Sequence, residues 1–353
     1  MANKLNRAFK LTIQDTAQPS TYYDQDLVNN SNLRLTPATK DVANDKPLLQ
    51  EGRNALVIEI PFTIEIDVSN IIAVDGNRAS IKIFGLNETN RDKLFQNPWS
   101  IPILEDGRKG YRRVILEAGY GKNIYPIFEG SLIQGYSVRE GVDWTTNLTC
   151  VSSAVGLYNT FINRSYAADT KQIDVVNDII TQMSQYGDLK KGAITSTLDE
   201  NYSQGVSLIG ASYNVLTQFG TEVFIDAGKL NILQSNEVIG SPRPSAQLPL
   251  APNVIDKLGI QIPNISADSG LIGTPIFNAG YVTVNMIFEP TIKLASLVNL
   301  ESTTASFFNG YYKVMGVEHR GVISSSKEGT LITTIKMWNG GSVANNFNIV
   351  TPV

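Results

Sequence analysis

Leu56-Val57-Ile58-Glu59-Ile60-Pro61-Phe62-Thr63-Ile64-Glu65-Ile66-Asp67-Val68 alternates apolar and polar residues almost without fault. A period of two places successive side chains on opposite sides of an extended chain, so Leu56, Ile58, Ile60, Phe62, Ile64, Ile66 and Val68 share one face. That face belongs in a core, and the face carrying Glu59, Thr63, Glu65 and Asp67 belongs in water or against a polar partner. Pro61 lies on the polar phase and lacks an amide donor, which predicts a sheet edge or a bulge at that point.

The same pattern continues downstream. Strands are expected at Ala79 to Leu86, Arg112 to Ala118, Ile127 to Val138 and Trp144 to Val151, with one short helix near Thr89 to Gln96. In the last of these strands Trp144, Thr146, Leu148 and Cys150 share a phase, which makes Cys150 a small buried apolar residue. Strands joined by short turns read as a β-barrel or sandwich over 56–165. The polar residues before it, with Pro19, Pro37 and Pro47, read as an N-terminal arm covering 1–55.

After Ser165 the period changes. Asp169 with Gln172 resembles a capping box, and Ile173, Val176, Ile180 and Met183 follow at helical spacing until Gly187. A second helix is expected from Val206 to Phe219, then a hairpin of Val223 to Asp226 and Leu230 to Leu233 turning at Ala227-Gly228. Together with a stiff linker at Pro242, Pro244, Pro249 and Pro252, this makes a small α/β domain over 166–253. A second strand-rich domain spans 254–345, with a C-terminal tail at 346–353. Its expected parts are a strand from Val254 to Ile262, a tight loop from Gly270 to Pro275, and strands at Tyr281 to Glu289, Lys293 to Leu300, Tyr311 to Val322 and Thr330 to Trp338. Val314 and Val317 are an odd number of residues apart, which predicts a phase slip at Gly316.

At 353 residues, with 42% hydrophobic and 18% charged residues, the chain is expected to fold into more than one core. A formal net charge of −4 argues against a nucleic-acid-binding surface, which needs clustered cations. The short basic cluster of Arg108, Lys109, Arg112 and Arg113 reads as a solvated turn. One cysteine cannot form an intrachain disulfide, and Met1 to Arg7 lacks the apolar core of a signal peptide. The expectation is a soluble protein made in a cytoplasm.

Familiar catalytic groups are sparse. Every Ser-His-Asp, Cys-His or His-rich metal constellation would have to be built on His319, the only histidine. A carboxylate pair needs no histidine, so glycoside hydrolysis stays open with Asp106 or Glu129 paired to Glu140 or Asp143. Gly119-Tyr120-Gly121-Lys122 opens no helix and reads as a hairpin turn rather than a phosphate cradle. No catalytic, cofactor-binding or metal-ligating residue is assigned. A glycan-binding adhesin module is a further alternative.

Four places carry a family resemblance. They are Asn77 to Asn87, Val114 to Gly121 with Ile127 to Gly130, the helical unit from Asp174, and the closing set of Gly270 to Pro275, Phe288-Glu289-Pro290, Gly310 to Val314 and Val317-Glu318-His319. In this order they resemble the central hub protein of contractile phage tail baseplates, with relatives in tailocins and in the hub portion of type VI secretion spikes. The resemblance runs from Leu56 to Trp338. It implies a mainly β fold with two tube-like β-barrel domains flanking a small α/β domain, and a non-enzymatic structural role without cofactor. It further implies a homotrimeric ring in the virion baseplate, assembled in the host cytoplasm, that joins a trimeric tail spike to a sixfold tail tube. The implied partners are the spike protein, tube or tube-initiator proteins and other baseplate proteins, with DNA only as passing cargo and no membrane insertion.

Overall fold

The computed structural model describes residues 6–14, 55–73, 77–99, 101, 110–152, 160–186, 189–240, 262–325, 329–339 and 348–350. It is mainly β, as expected, with most strand pairs antiparallel. Contacts divide the chain into two compact units, Met1–Val68 with Arg78–Val155 and His319–Leu331, and Ser69–Asn77 with Gly156–Glu318 and Ile332–Val353.

The first unit is built from β1 (Arg7–Gln14), β2 (Ala55–Glu59), most of β3 (Thr63–Ile71), β4 (Arg78–Phe84), β5 (Arg112–Tyr120), β6 (Asn123–Glu140) and β7 (Asp143–Val151). Their order is β3-β4-β7-β6-β5-β1-β2. The quoted alternating stretch holds its phase, with Ile58, Phe62, Ile64, Ile66 and Val68 all buried. It is nevertheless two strands rather than one. The chain turns at Ile60 to Phe62, where the Phe62 amide donates to the Glu59 carbonyl at 3.1 Å. Pro61 cannot donate to a ladder, so the break falls where the sequence is least able to pair.

Arg7–Gln14 is a strand within the stretch read as an arm. Phe9, Leu11 and Ile13 are buried on one phase, and the strand pairs with both β2 and β5. Eight residues are a short sample for a period of two, and the long polar stretch behind them obscures it. The hairpins β5–β6 and β6–β7 turn through Gly121 and Gly141, both at positive φ. Helix α1 (Glu88–Leu94) starts where the Asn87 side chain accepts the Asn90 amide, an N-cap of the ordinary kind. Among the described residues the strand path stays open, and no closed barrel is formed.

The second unit begins with β8 (Phe161–Tyr166), α2 (Gln172–Tyr186), β9 (Lys190–Ile194), β10 (Val206–Ala211), α3 (Ser212–Leu216), β11 (Glu222–Asp226), β12 (Lys229–Leu233) and β13 (Glu237–Ile239). Helix α2 packs Val175, Val176, Ile179, Ile180 and Met183 against Val223, Ile225, Leu230 and Ile232. Burying each such side chain contributes roughly 1.5–3 kcal/mol. The next residues in the hairpin, Phe224 and Leu233, face a different cluster with Val282, Val284, Val298, Val314 and Ile335. The small sheet is therefore covered on both faces, which explains why β11 and β12 read as nearly continuous apolar runs.

Two local expectations fail here. Helix α2 begins at Gln172, whose amide donates to the Glu200 carbonyl at 3.0 Å, while Asp169 sits at φ 65. The capping box is replaced by a partner distant in sequence. Val206–Ala211, expected as helix, is a strand paired with β8, and only Ser212–Leu216 is helical. Its apolar residues fit either period, and the available edge of β8 decides the outcome.

The unit closes with β14 (Asn264–Ser266), β15 (Leu271–Asn278), β16 (Tyr281–Ile287), β17 (Leu297–Glu301), β18 (Gly310–Ile323), β19 (Leu331–Trp338) and β20 (Asn348–Val350), with β18 and β19 running past the unit's limits. The order is β15-β16-β19-β18, with β17 also on β18 and β14 on β17. Gly270 to Pro275, expected as a loop, mostly belongs to β15, whose pairing with β16 is irregular between Ile272 and Ile276. Pro275 removes a donor inside that irregularity. In β18 the buried phase passes from Val314 and Gly316 to Val317 and His319, the slip expected at Gly316. The Pro-rich linker, the strand begun at Val254 and the helix stop at Gly187 lie outside the described residues.

Candidate functional site

Among the described residues, those that sequence singled out for chemistry do not converge. His319 is 1% exposed on β18, and Cys150 is fully buried on β7, where burial pushes its thiol far above the ordinary range. Among the described residues no three His, Cys, Asp or Glu side chains gather as a metal site. Asp106 lies outside the described residues. Glu129 accepts from Arg113 Nε at 3.1 Å, and Glu140 lies 3.0 Å from Lys82 Nζ. Both carboxylates sit on β6, eleven residues apart. At about 3.3 Å per residue their separation is roughly 36 Å, far beyond the 5–9.5 Å that glycoside hydrolysis needs. Asp143 opposes Glu140 at the far end of the same hairpin, so it is equally remote from Glu129.

The basic cluster dissolves into pairs as far as it is described. Arg112 donates to the Lys93 carbonyl, and Arg113 pairs with Glu129. Gly119 to Lys122 forms the β5–β6 turn and opens no helix, as read from sequence.

What sequence reasoning missed is a buried ionic network inside the second unit. Lys313 is fully buried, with its Nζ 2.6 Å from Glu222 Oε2 and 3.1 Å from the Ser235 carbonyl. Glu237 lies close by, accepting from Thr195 Oγ1 and from the Gln234 amide, each at 2.8 Å. Burial pushes the Glu222 carboxyl up and the Lys313 ammonium down, against the mutual attraction that favours both charges. A cavity of about 670 Å³ opens beside Glu222, lined also by Ile72, Phe219, Thr221, Gln234 and Met315. The ammonium is already held by a carboxylate and carbonyls, so the network is shaped as a structural clamp.

The second feature is an apolar edge. Among the described residues β15 ends the strand path of its unit, and Ile272, Ile276 and Phe277 are 44%, 61% and 59% exposed. Phe277 stacks on Phe308 with ring centroids 6.3 Å apart, and Phe308 lies 4.2 Å from the exposed Phe307 ring. Such a surface is suited to protein contact rather than to catalysis. The adjacent apolar pairs Leu271-Ile272 and Ile276-Phe277 carry no period of two, so pairing alone shows both the strand and its edge.

A family model described as baseplate hub gp41 matches residues 48–328. A search of curated proteins returns no match. Among solved structures the chain is similar to the 43 kDa tail protein of prophage MuSo2 from Shewanella oneidensis, at 7% identity and TM-score 0.48, covering 79% of this chain and 98% of that one. It is also similar to a tail protein from Neisseria meningitidis MC58, at 7% identity and TM-score 0.49, covering 81% and 94%. A third is the E. coli c3393 protein, described as a type VI secretion component, at 10% identity and TM-score 0.47, covering 79% and 74%.

Proposed function

Because this chain belongs to the baseplate hub gp41 family, we propose that it is the structural hub of a contractile tail baseplate, acting as a homotrimeric ring that joins a trimeric spike to a sixfold tail tube. The single observation that carries this reading is the family match across 48–328, which spans the alternating strands, the α/β segment and the closing strands together. In the ring, 56–165 and 254–345 serve as two tube-like domains per protomer flanking 166–253, so that three protomers offer six similar modules to the tube. The exposed apolar edge of β15, unpaired among the described residues, supports the reading, since such an edge takes a partner and a closed cyclic assembly supplies one. The ring encloses the path of ejected DNA, and a chain of net charge −4 disfavours adhesion of that cargo. The work of the protein is positioning, without bond-breaking chemistry.

Mass measurement in solution, on the chain alone and co-expressed with its spike, tests the assembly. Three copies, alone or with the spike, is the expected result. A monomer under both conditions overturns the ring. Hydrolysis of cell-wall or capsular polysaccharide by the purified chain overturns the non-enzymatic assignment.

A further inference from the structure

We infer that the cavity beside Glu222 is a binding site for a small aliphatic amine, whose ammonium is received by the carboxylate oxygen that Lys313 leaves free; this goes beyond the hub reading and does not depend on the ring.

The site starts from Glu222 on β11. It is 8% exposed, and its Oε2 holds the Lys313 ammonium at 2.6 Å. Oε1 accepts from no group among the described residues, yet it is not sealed from solvent, and Glu222 forms part of the cavity wall. A largely buried carboxylate with an unused oxygen is an acceptor short of a donor. Lys313 cannot serve the cavity itself. Its other two hydrogens go to the carbonyls of Gln234 at 3.4 Å and Ser235 at 3.1 Å, which uses all three donors of an ammonium.

The charges in the network select a cation. Two carboxyl groups, Glu222 and Glu237, stand around the one ammonium of Lys313, and Glu237 is otherwise answered by uncharged donors, the Thr195 hydroxyl and the Gln234 amide. Burial works against the Glu222 charge, and Glu237 adds to that. A second ammonium at Oε1 offsets both through a charge-assisted hydrogen bond. An anion there would face both carboxylates.

The rest of the wall sets the body of the ligand. Ile72, Phe219 and Met315 supply apolar surface for a methylene chain, while Thr221, Gln234 and Ser235 keep polar groups at the same cavity. Its volume of about 670 Å³ lies within the roughly 300–1,000 Å³ of small-molecule sites.

Calorimetry on the full chain with hexylamine, and with hexanol as its uncharged match, tests the site. Hexylamine is expected to bind roughly tenfold or more tightly than hexanol, because only the amine carries the charge that Oε1 lacks. Glu222→Gln removes the carboxylate, and Ala73→Phe fills the cavity from its wall while leaving Glu222 in place. Each is expected to lower hexylamine affinity by roughly tenfold or more. Equal binding of amine and alcohol, binding of neither, or amine binding that survives either variant overturns the site. Should Glu222→Gln fail to fold without its ion pair, the amine and alcohol comparison on the unsubstituted chain, together with Ala73→Phe, decides.

Discussion

Lys313 Nζ lies 2.6 Å from Glu222 Oε2 with no solvent exposure at the lysine, joining β18 to β11 across 91 residues of chain. Both groups have lost water, and burial works against both charges more strongly than their attraction favours them. Removing one partner strands the other. Lys313→Met is expected to destabilise the protein by about 3–5 kcal/mol, and Lys313→Met with Glu222→Gln to recover part of that loss. Urea unfolding of the two variants checks the ordering; a double variant less stable than the single one would contradict it.

Asn77 is a second clamp in the same unit. It is 2% exposed, accepts the Ile71 amide at 2.8 Å through Oδ1 and donates through Nδ2 to the Ile225 carbonyl. Asn77→Leu leaves the buried Ile225 carbonyl and the partly buried Ile71 amide without this partner, for an expected loss of about 1–3 kcal/mol. Chemical denaturation measures it, and a loss under 0.5 kcal/mol would refute the assignment.

Gly321 is held at φ 145, and a Cβ added there would stand 1.9 Å from the Thr330 carbonyl oxygen. That atom is backbone and cannot swing aside. Gly321→Ala is expected to cost about 2 kcal/mol or more through strain and a displaced strand. Thermal melting gives the comparison, and an unchanged Tm would show that β18 and β19 absorb the methyl group.

Cys150 is the single thiol and is wholly buried, with its pKa raised by desolvation. It should resist thiol reagents in native buffer and react stoichiometrically once denaturant opens the first unit. Labelling at the rate of a free thiol in native buffer would contradict its burial.

Tyr166 donates its hydroxyl hydrogen to Asp178 Oδ2 at 2.7 Å, and its pKa is pushed up to about 12 by burial, then by that hydrogen bond and the Asp178 charge. The folded state therefore holds the proton more tightly than the unfolded state, whose tyrosine titrates near 10. Its contribution to stability is full below pH 10 and is lost as pH rises through about 12. Tyr166→Phe should show a shallower decline over that window in stability-versus-pH curves. Identical slopes would rule out this linkage.

Local periodicity was enough for much of the fold. The burial of Leu56, Ile58, Phe62, Ile64, Ile66 and Val68, the phase of Thr146, Leu148 and Cys150, the buried stripe of α2, the Ala227-Gly228 hairpin and the phase slip in β18 were all legible, because alternation and helical spacing record which side of a backbone faces the core. The poverty of histidine and cysteine was legible too, and it narrowed the chemistry before any geometry was known.

Tertiary structure decided what depends on residues far apart in the chain. Val206–Ala211 is a strand because Phe161–Tyr166 lies beside it, and α2 is closed at its start by Glu200 rather than by its own Asp169. Glu129 and Glu140 share a strand that holds them too far apart to cooperate. Lys313 looks like any strand lysine until Glu222 is brought to it, and β15 shows itself as an edge among the described residues only through its pairing. A strand's period is written in its own side chains, whereas its partner, its edge and its charge neighbours are set by pairings that no local stretch contains.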